Sequence, residues 1–322
     1  MKIRKKLLRF GLLLALIGLL PAQAQNFPQR PLRVIVPLAA GGGMDTVTRS
    51  LARNLAESFG QNVVVDNRPG AGSMIGLEIV AGAAPDGHTL MMISATTVIH
   101  PILYKSRFDI LRDFAPVSQV TAQGYVLVVH PSIPAKSVPE LVHYLRAHPG
   151  KLNYSSSGIG SPIHMTTELF QIATGTRITH VPYKGMGAAY PDLVGGRIEM
   201  SFATIISSFS HVRAGRLRAL AVTPGKRALA LPQIPTLSEA GVDVVVVNWY
   251  GLIAPAGTAK AVLNRISGDT AMAMHLPDVR KRLIAEGSEA VGNSPREFAD
   301  HIRRERERWT RVIQQADIRG KS

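Results

Sequence analysis

Three short segments of this chain could hold an anion without supplying a catalytic group. Pro37-Leu38-Ala39-Ala40-Gly41-Gly42-Gly43-Met44-Asp45-Thr46 lies between an apolar strand pattern and a helical one, so its amides gather at a helix N-terminus. Free N–H groups and the helix dipole both favour negative charge there, and glycines let a ligand approach the main chain closely. The plainer reading is a flexible turn with Asp45 as the helix N-cap. The loop has neither the Gly-Lys-Ser/Thr of a P-loop nor the G-x-G-x-x-G spacing of a dinucleotide site.

Tyr154-Ser155-Ser156-Ser157-Gly158-Ile159-Gly160-Ser161-Pro162-Ile163-His164 repeats the logic: a strand ends, a loop rich in hydroxyls and glycine follows, and Pro162 opens a helix. Hydroxyls and amides can hold a carboxylate, although Ser161 is alternatively a simple cap. Ser161 with His164 invites a hydrolase reading, but the serine sits in no G-x-S-x-G elbow and no acidic orienter is evident nearby. His164 reads instead as a packed or hydrogen-bonded side chain on the inner face of its helix. His180-Val181-Pro182-Tyr183-Lys184-Gly185-Met186-Gly187 sets a ring and an ammonium at the C-terminal edge of a sheet, where ligands of open α/β sheets sit. Tyr183 would line or close a cleft; Lys184 could equally be an ordinary exposed lysine. The ten histidines are scattered, and His143 and His148, five apart, miss the i, i+4 spacing of a zinc helix, so neither metal nor cofactor is expected.

The elements that must position these loops are short β-rich runs alternating with helical patterns. Leu32 to Val36 precedes a helix from Thr46 to Ser58 in which Val47, Leu51 and Leu55 recur every four residues; Val63 to Val65, a helix after Gly72 and Leu90 to Ile93 follow. Such alternation implies βαβ units on parallel sheets. A second series starts near Tyr125 and continues through a helix at Val138 to His148 and a strand near Leu152 to Tyr154. It ends through a helix at Pro162 to Ala173, a strand at Ile178 to Val181, a helix after Gly187, and strands at Ile198 to Ala203 and Leu217 to Val222. After Val242 to Val247 and Trp249-Tyr250-Gly251, three amphipathic helices have no sheet of their own and must return to the first lobe. The expected organisation is a discontinuous first lobe (26–124 plus 249–322) and a continuous second (125–248), joined by two crossover strands around a cleft.

The N-terminus carries Lys2, Arg4, Lys5, Lys6 and Arg9, then an apolar run to Leu20 and Pro21-Ala22-Gln23-Ala24, the pattern of a secretory signal cleaved after Ala24 (residues 1–24). The run is shorter than the ~20 residues of a spanning helix. Cleavage leaves 322 − 24 = 298 residues and lowers the formal charge from +15 to +10. A basic, cysteine-free, periplasmic chain excludes disulfides, thiol catalysis and a lipid anchor, and favours anionic ligands. The compartment and the absence of any finger, KH or RRM signature argue against nucleic acid. Arg303-Arg304-Glu305-Arg306-Glu307-Arg308 interleaves acids and reads as a solvated helix face.

The chain resembles the extracytoplasmic solute receptors of tripartite tricarboxylate transporters, the Bug family. The resemblance rests on Pro37 through Asp45, Val65-Asp66-Asn67-Arg68-Pro69-Gly70-Ala71-Gly72, Ala84-Pro85-Asp86-Gly87-His88-Thr89-Leu90, Gly158 to His164, His180 to Gly185, Gly195-Gly196, Ala214 to Val222, and Trp249 with Ala254-Pro255-Ala256-Gly257-Thr258. It implies an α/β, periplasmic binding protein-like (Venus flytrap) fold of two lobes on a two-strand hinge that closes over a carboxylated solute. The implied ligand set is Leu38, Ala39, Gly41, Gly42, Gly43, Asp45, Thr46 and Thr96 from the first lobe. From the second come Ser155, Ser157, Gly160, Ser161, His164, Tyr183, Lys184, Gly185 and Thr204. The implied partners are the small carboxylate and membrane transporter subunits that dock the closed form transiently; a monomer without stable membrane insertion is expected. Ala39-Ala40, His100-Pro101 and Ala203-Thr204 depart from the family pattern, the last where an acid is frequent, which points to a ligand without an amino group. A sensor module and a secreted hydrolase using Ser161 are the competing readings.

Overall fold

The computed structural model describes residues 27–318 apart from Ala39, Gly42, Lys105 and Glu286. The expected leader over 1–24 therefore lies outside the described residues, as do Ala39 and Gly42 of the expected ligand set.

The first lobe begins with β1 (Leu32–Val36), α1 (Gly43–Phe59), β2 (Val63–Asn67), α2 (Met74–Ala81), β3 (Thr89–Ser94) and α3 (Ala95–Leu103). α1 buries Val47, Leu51 and Leu55, the stripe its four-residue spacing predicts, against a cluster containing Val34, Val36 and Leu252. α3 was not visible in the sequence pattern: it is short, and Pro101 lies inside it. The second lobe holds α4 (Val138–Ala147), β5 (Asn153–Ser156), α5 (Pro162–Thr174), β6 (Thr179–Pro182), α6 (Met186–Val194), β7 (Met200–Thr204), α7 (Ile205–Arg213) and β8 (Arg218–Val222).

β4 (Phe114–Val129) and β9 (Val247–Pro255) join the lobes; α8 (Lys260–His275), α9 (Pro277–Ala285), β10 (Ser288–Ala290) and α10 (Pro295–Gln315) then complete the first lobe. The strand order is β2-β1-β3-β9-β4-β7-β5-β6, with β10 and β8 also on β4. β4 pairs with β9 through Gly124↔Val247 and with β7 from Tyr125↔Thr204 onward, so it changes lobes between Gly124 and Tyr125. Thr223 ties this crossing: its Oγ1 donates to the Val246 carbonyl at 2.6 Å and accepts the Tyr125 amide at 3.0 Å.

Strand directions aim every loop of the site at one gap. β1 and β3 are parallel, β3 is antiparallel to β9, and β9 is antiparallel to β4, so the C-terminal ends of β1 and β3 point the way β4 runs, toward the second lobe. β7 is antiparallel to β4, and β5 and β6 follow β7, so their C-terminal ends point back at the first lobe.

One apolar cluster runs from Ile35, Met91 and Ile99 through Trp249 and the α10 residues Phe298, Ile302 and Trp309 to Tyr154, Phe170 and Phe202 of the second lobe. The two indoles, Trp249 Nε1 at 3.1 Å and Trp309 Nε1 at 2.9 Å, donate to the buried Glu305 carboxylate. The arginine-rich stretch is thus not a wholly solvated face: Glu305 is turned inward, while Arg303 pairs with Asp300 and Arg306 reaches Asp109 at 3.0 Å. Among the described residues no helix is long and apolar enough to cross a membrane, and no group of acidic and histidine side chains could hold a metal.

Candidate functional site

The first-lobe loop is held from within by Asp45. Its carboxylate accepts the Gly41 amide at 2.9 Å, Arg49 Nε at 3.0 Å and Asn67 Nδ2 at 3.0 Å. Burial alone would raise its pKa, but these hydrogen bonds and the Arg49 charge keep it below the ordinary carboxylate value. The helix starts three residues earlier than a capping aspartate requires, so Asp45 shapes the loop from the first turn and does not cap the helix. Gly41 has φ +84°, a conformation glycine adopts freely. Leu38, Gly41 and Gly43 are exposed, Thr46 half-buried, and Thr96 half-buried in the first turn of α3.

Tyr250, absent from the expected set, closes the floor of this loop. A Cβ on Gly43 would meet its hydroxyl at 3.3 Å, which places that hydroxyl against the start of α1. Burial raises the tyrosine pKa, and the neighbouring Gln123 and Asn248 side chains partly offset the rise. Local sequence spacing does not show this role of Tyr250, which arises from the pairing of β9 between β3 and β4, where Ser94 and Thr121 lie opposite it.

In the second lobe Ser155 and Ser156 are still strand residues, both fully buried. Ser155 Oγ has no hydrogen-bond partner among the described residues, which is costly for a buried hydroxyl. Ser156, not in the expected set, organises the turn: its Oγ accepts the Gly158 amide at 3.1 Å and meets His180 Nε2 at 2.7 Å. Half-buried Ser157 follows it. Ser161 Oγ accepts the His164 amide at 3.3 Å, a helix cap, and His164 Nδ1 accepts the Gly160 amide at 3.0 Å. A Cβ on Gly160, at φ +73°, would lie 2.4 Å from Leu103 of α3, so this loop is seated against the first lobe.

Behind the loop the His164 and His180 rings stack at 4.0 Å, and His180 stacks on Tyr154 at 4.8 Å. Burial drives both imidazoles down, His164 to about 3 with the help of its neighbour His180, and His180 to about 4. Both are therefore neutral at pH 7, and His164, accepting at Nδ1, carries its proton on Nε2. An acidic neighbour is present one helical turn further on: Glu168 lies 3.9 Å from His164 Nε2. It makes no triad, because the His164 ring nitrogen that could face a serine is taken by Gly160 and Ser161 Oγ is a cap.

Tyr183 donates to Asp192 Oδ2 at 2.6 Å, and burial followed by that bond pushes its hydroxyl up to about 12. Its hydroxyl is thus committed to α6, while Lys184 is exposed and Gly185, at φ +97°, forms the helix cap. Thr204 ends β7, its Oγ1 2.6 Å from Ser207 Oγ, which also accepts the Tyr190 hydroxyl at 2.6 Å. Tyr190 and Ser207 extend the expected set through contacts between elements that sequence spacing does not show.

The two walls can be measured along β4. β3 last pairs with β9 at the level Ser94-Tyr250-Thr121, and β7 first pairs with β4 at Thr204-Tyr125, four β4 residues further on, about 13 Å at ~3.3 Å per residue. Two α/β lobes with glycine-rich, hydroxyl-bearing loops facing each other across a two-strand hinge define a periplasmic binding protein-like receptor.

The family model for the tripartite tricarboxylate transporter family receptor matches residues 47–318. The chain is similar to protein BugT of Bordetella pertussis (strain Tohama I), 33% identical with 100% of each chain covered. It is similar in structure to Rhodopseudomonas palustris Rpa4515, solved with adipate, at TM-score 0.81 and 33% identity, covering 91% of this chain and 99% of that one. MatC of Rhodopseudomonas palustris, solved with bound malate, superposes at TM-score 0.77 with 31% identity, covering 89% and 100%. The chain belongs to the tripartite tricarboxylate transporter receptor family, whose members are solute-binding receptors and not enzymes.

Proposed function

We propose that this protein is a periplasmic receptor that captures a small carboxylate between its lobes and presents the closed form to the membrane subunits of a tripartite transporter. The observation that carries this reading is that two backbone-rich anion loops face each other from strand ends about 13 Å apart along β4, the first at the N-terminus of α1 and the second at the end of β5, where the buried Ser155 hydroxyl has no hydrogen-bond partner among the described residues. Family membership and two structural relatives solved with adipate and malate support the ligand class.

The first loop takes one carboxylate end through amides and the helix dipole, with Tyr250 beneath it. Ser155, Ser157 and the amides held by His164 take the polar atoms at the opposite wall, with Thr96 and Thr204 at the flanks. Asp45, His164 and Tyr183 act mainly by shaping these loops, since their polar atoms are engaged with the protein. The lobes are residues 26–124 with 249–322, and 125–248; the exchange of β4 partners at Gly124 and Tyr125 supports that division. The mature chain is a monomer released by cleavage after Ala24. Ala203-Thr204 stand where an acid is frequent in the family, and on that departure we read the ligand as one without an amino group.

The test is a melting screen of the refolded protein against mono-, di-, tri- and aromatic carboxylates beside aspartate and glutamate. A ligand that binds only the folded state adds about 2.7 kcal/mol at a hundredfold excess over its Kd. A selective shift with a carboxylate and none with the amino acids is expected; tight aspartate or glutamate binding would overturn the amine-free reading.

A further inference from the structure

A second chamber lies on the other flank of the hinge, and none of the carboxylate loops contributes to it. Its larger part, about 360 Å³, is lined by Ala122 and Gly124 of β4, Pro224, Ala228 and Leu229 from the segment after β8, and Ile284 of α9. This is the size of a small-molecule site. An adjoining part of about 180 Å³ shares Leu229, Ile284, Lys226 and Glu289 with it and adds Arg227, Arg280 and Ala290.

The charges divide unequally. Lys226 bridges to Glu289 at 2.8 Å, which joins the second-lobe segment to β10 of the first lobe, and Arg227 is taken by Glu239 at 2.9 Å. Arg280 is exposed, and its guanidinium has no hydrogen-bond or ion-pair partner among the described residues. An apolar chamber with one uncompensated guanidinium in its adjoining part fits a molecule with an apolar body and a single negative group.

We infer that this chamber is a second ligand site, for a small amphipathic organic anion whose ring or branched apolar body fills the larger part and whose anionic group meets Arg280. Its walls come from both lobes, and Gln123, which lines it, also neighbours Tyr250 at the floor of the first-lobe loop. Occupancy and lobe closure are therefore linked, and each ligand changes the other's affinity by the same factor without displacing it.

Anilinonaphthalene sulfonate, an aromatic monoanion that fluoresces in apolar surroundings, is the probe. Titrated into the full mature chain, it is expected to give one saturable enhancement, weakened at least about fivefold by Arg280→Glu and by Leu229→Asp. Arg280 is exposed and Leu229 is 64% exposed, so neither change touches the core, and melting curves of both variants check that they fold. Adipate at saturation is expected to leave the probe bound. No saturable enhancement, equal affinity in both folded variants, or full displacement by adipate would each overturn the proposal. Adipate that neither displaces the probe nor raises Tm counts against the carboxylate reading of the main cleft alone, and the two variants then decide the chamber.

Discussion

His164 holds Gly160: the imidazole Nδ1 accepts the Gly160 amide at 3.0 Å, and the residue so fixed rests against Leu103 of the opposite lobe. A buried ring thereby sets both the shape of the second-lobe loop and its contact with the first lobe. His164→Ala is expected to weaken carboxylate binding by roughly tenfold or more, because a buried amide loses its acceptor at a cost of about 1–3 kcal/mol. His164→Asn, whose Oδ1 can occupy the Nδ1 position, should recover much of that loss in the same calorimetric titration. Equal affinities for alanine and asparagine variants would show that the acceptor is irrelevant.

Gly160 itself combines a left-handed φ of +73° with contact against Leu103. Gly160→Ala is expected to lower stability by about 1–2 kcal/mol from backbone strain alone, with a further loss from the clash. Leu103→Ala in the same chain should relieve the clash and leave the strain, so the double variant unfolds at higher urea than the sum of the singles predicts.

Acid should destabilise the protein in a defined window. Folded His164 and His180 titrate near about 3 and about 4, and His301, lowered by burial and then by Arg304 and Arg308, near about 4. In the unfolded chain they take protons near the ordinary histidine value, so the unfolded state binds more protons as pH falls. Stability is thus full above pH ~6.5 and declines toward pH ~4, by on the order of 1 kcal/mol per histidine at pH 5.5. Urea midpoints across this range check the slope. His301→Phe, which keeps a ring against Trp249 and Phe298, should flatten it.

Much of this was legible in the sequence, for reasons that differ by element. The helix α1 announced itself because Val47, Leu51 and Leu55 share one face, and the two anion loops because glycine and serine cluster at strand ends. α3 and α7, nine residues each, and three-residue β10 were not, since such short elements are fixed by packing and pairing. Ser156, His180, Tyr190 and Tyr250 escaped for a related reason: each acts through a partner 17 to 24 residues away or across a strand pair. Glu168 was overlooked beside His164, although the i, i+4 spacing places them on one helix face.

Glu305 is expected to be the most sensitive single position of the scaffold. Glu305→Ala leaves two buried indole N–H groups without their acceptor and is predicted to cost about 3 kcal/mol or more. Urea unfolding followed by tryptophan fluorescence reads this directly, since Trp249 and Trp309 are the chain's two tryptophans. Glu305→Gln, which keeps one acceptor oxygen, should lose less.

The central claim is that the gap between the α1 loop and the β5 loop is a carboxylate site. Isothermal titration of the ligand-stripped mature protein with adipate and with malate tests it most directly. One-to-one binding of at least one of them, lost when a Trp replaces Gly43 beside the Tyr250 hydroxyl, is the predicted result. Heat signals absent for every carboxylate tried with a folded protein, or binding untouched by Gly43→Trp, would contradict it.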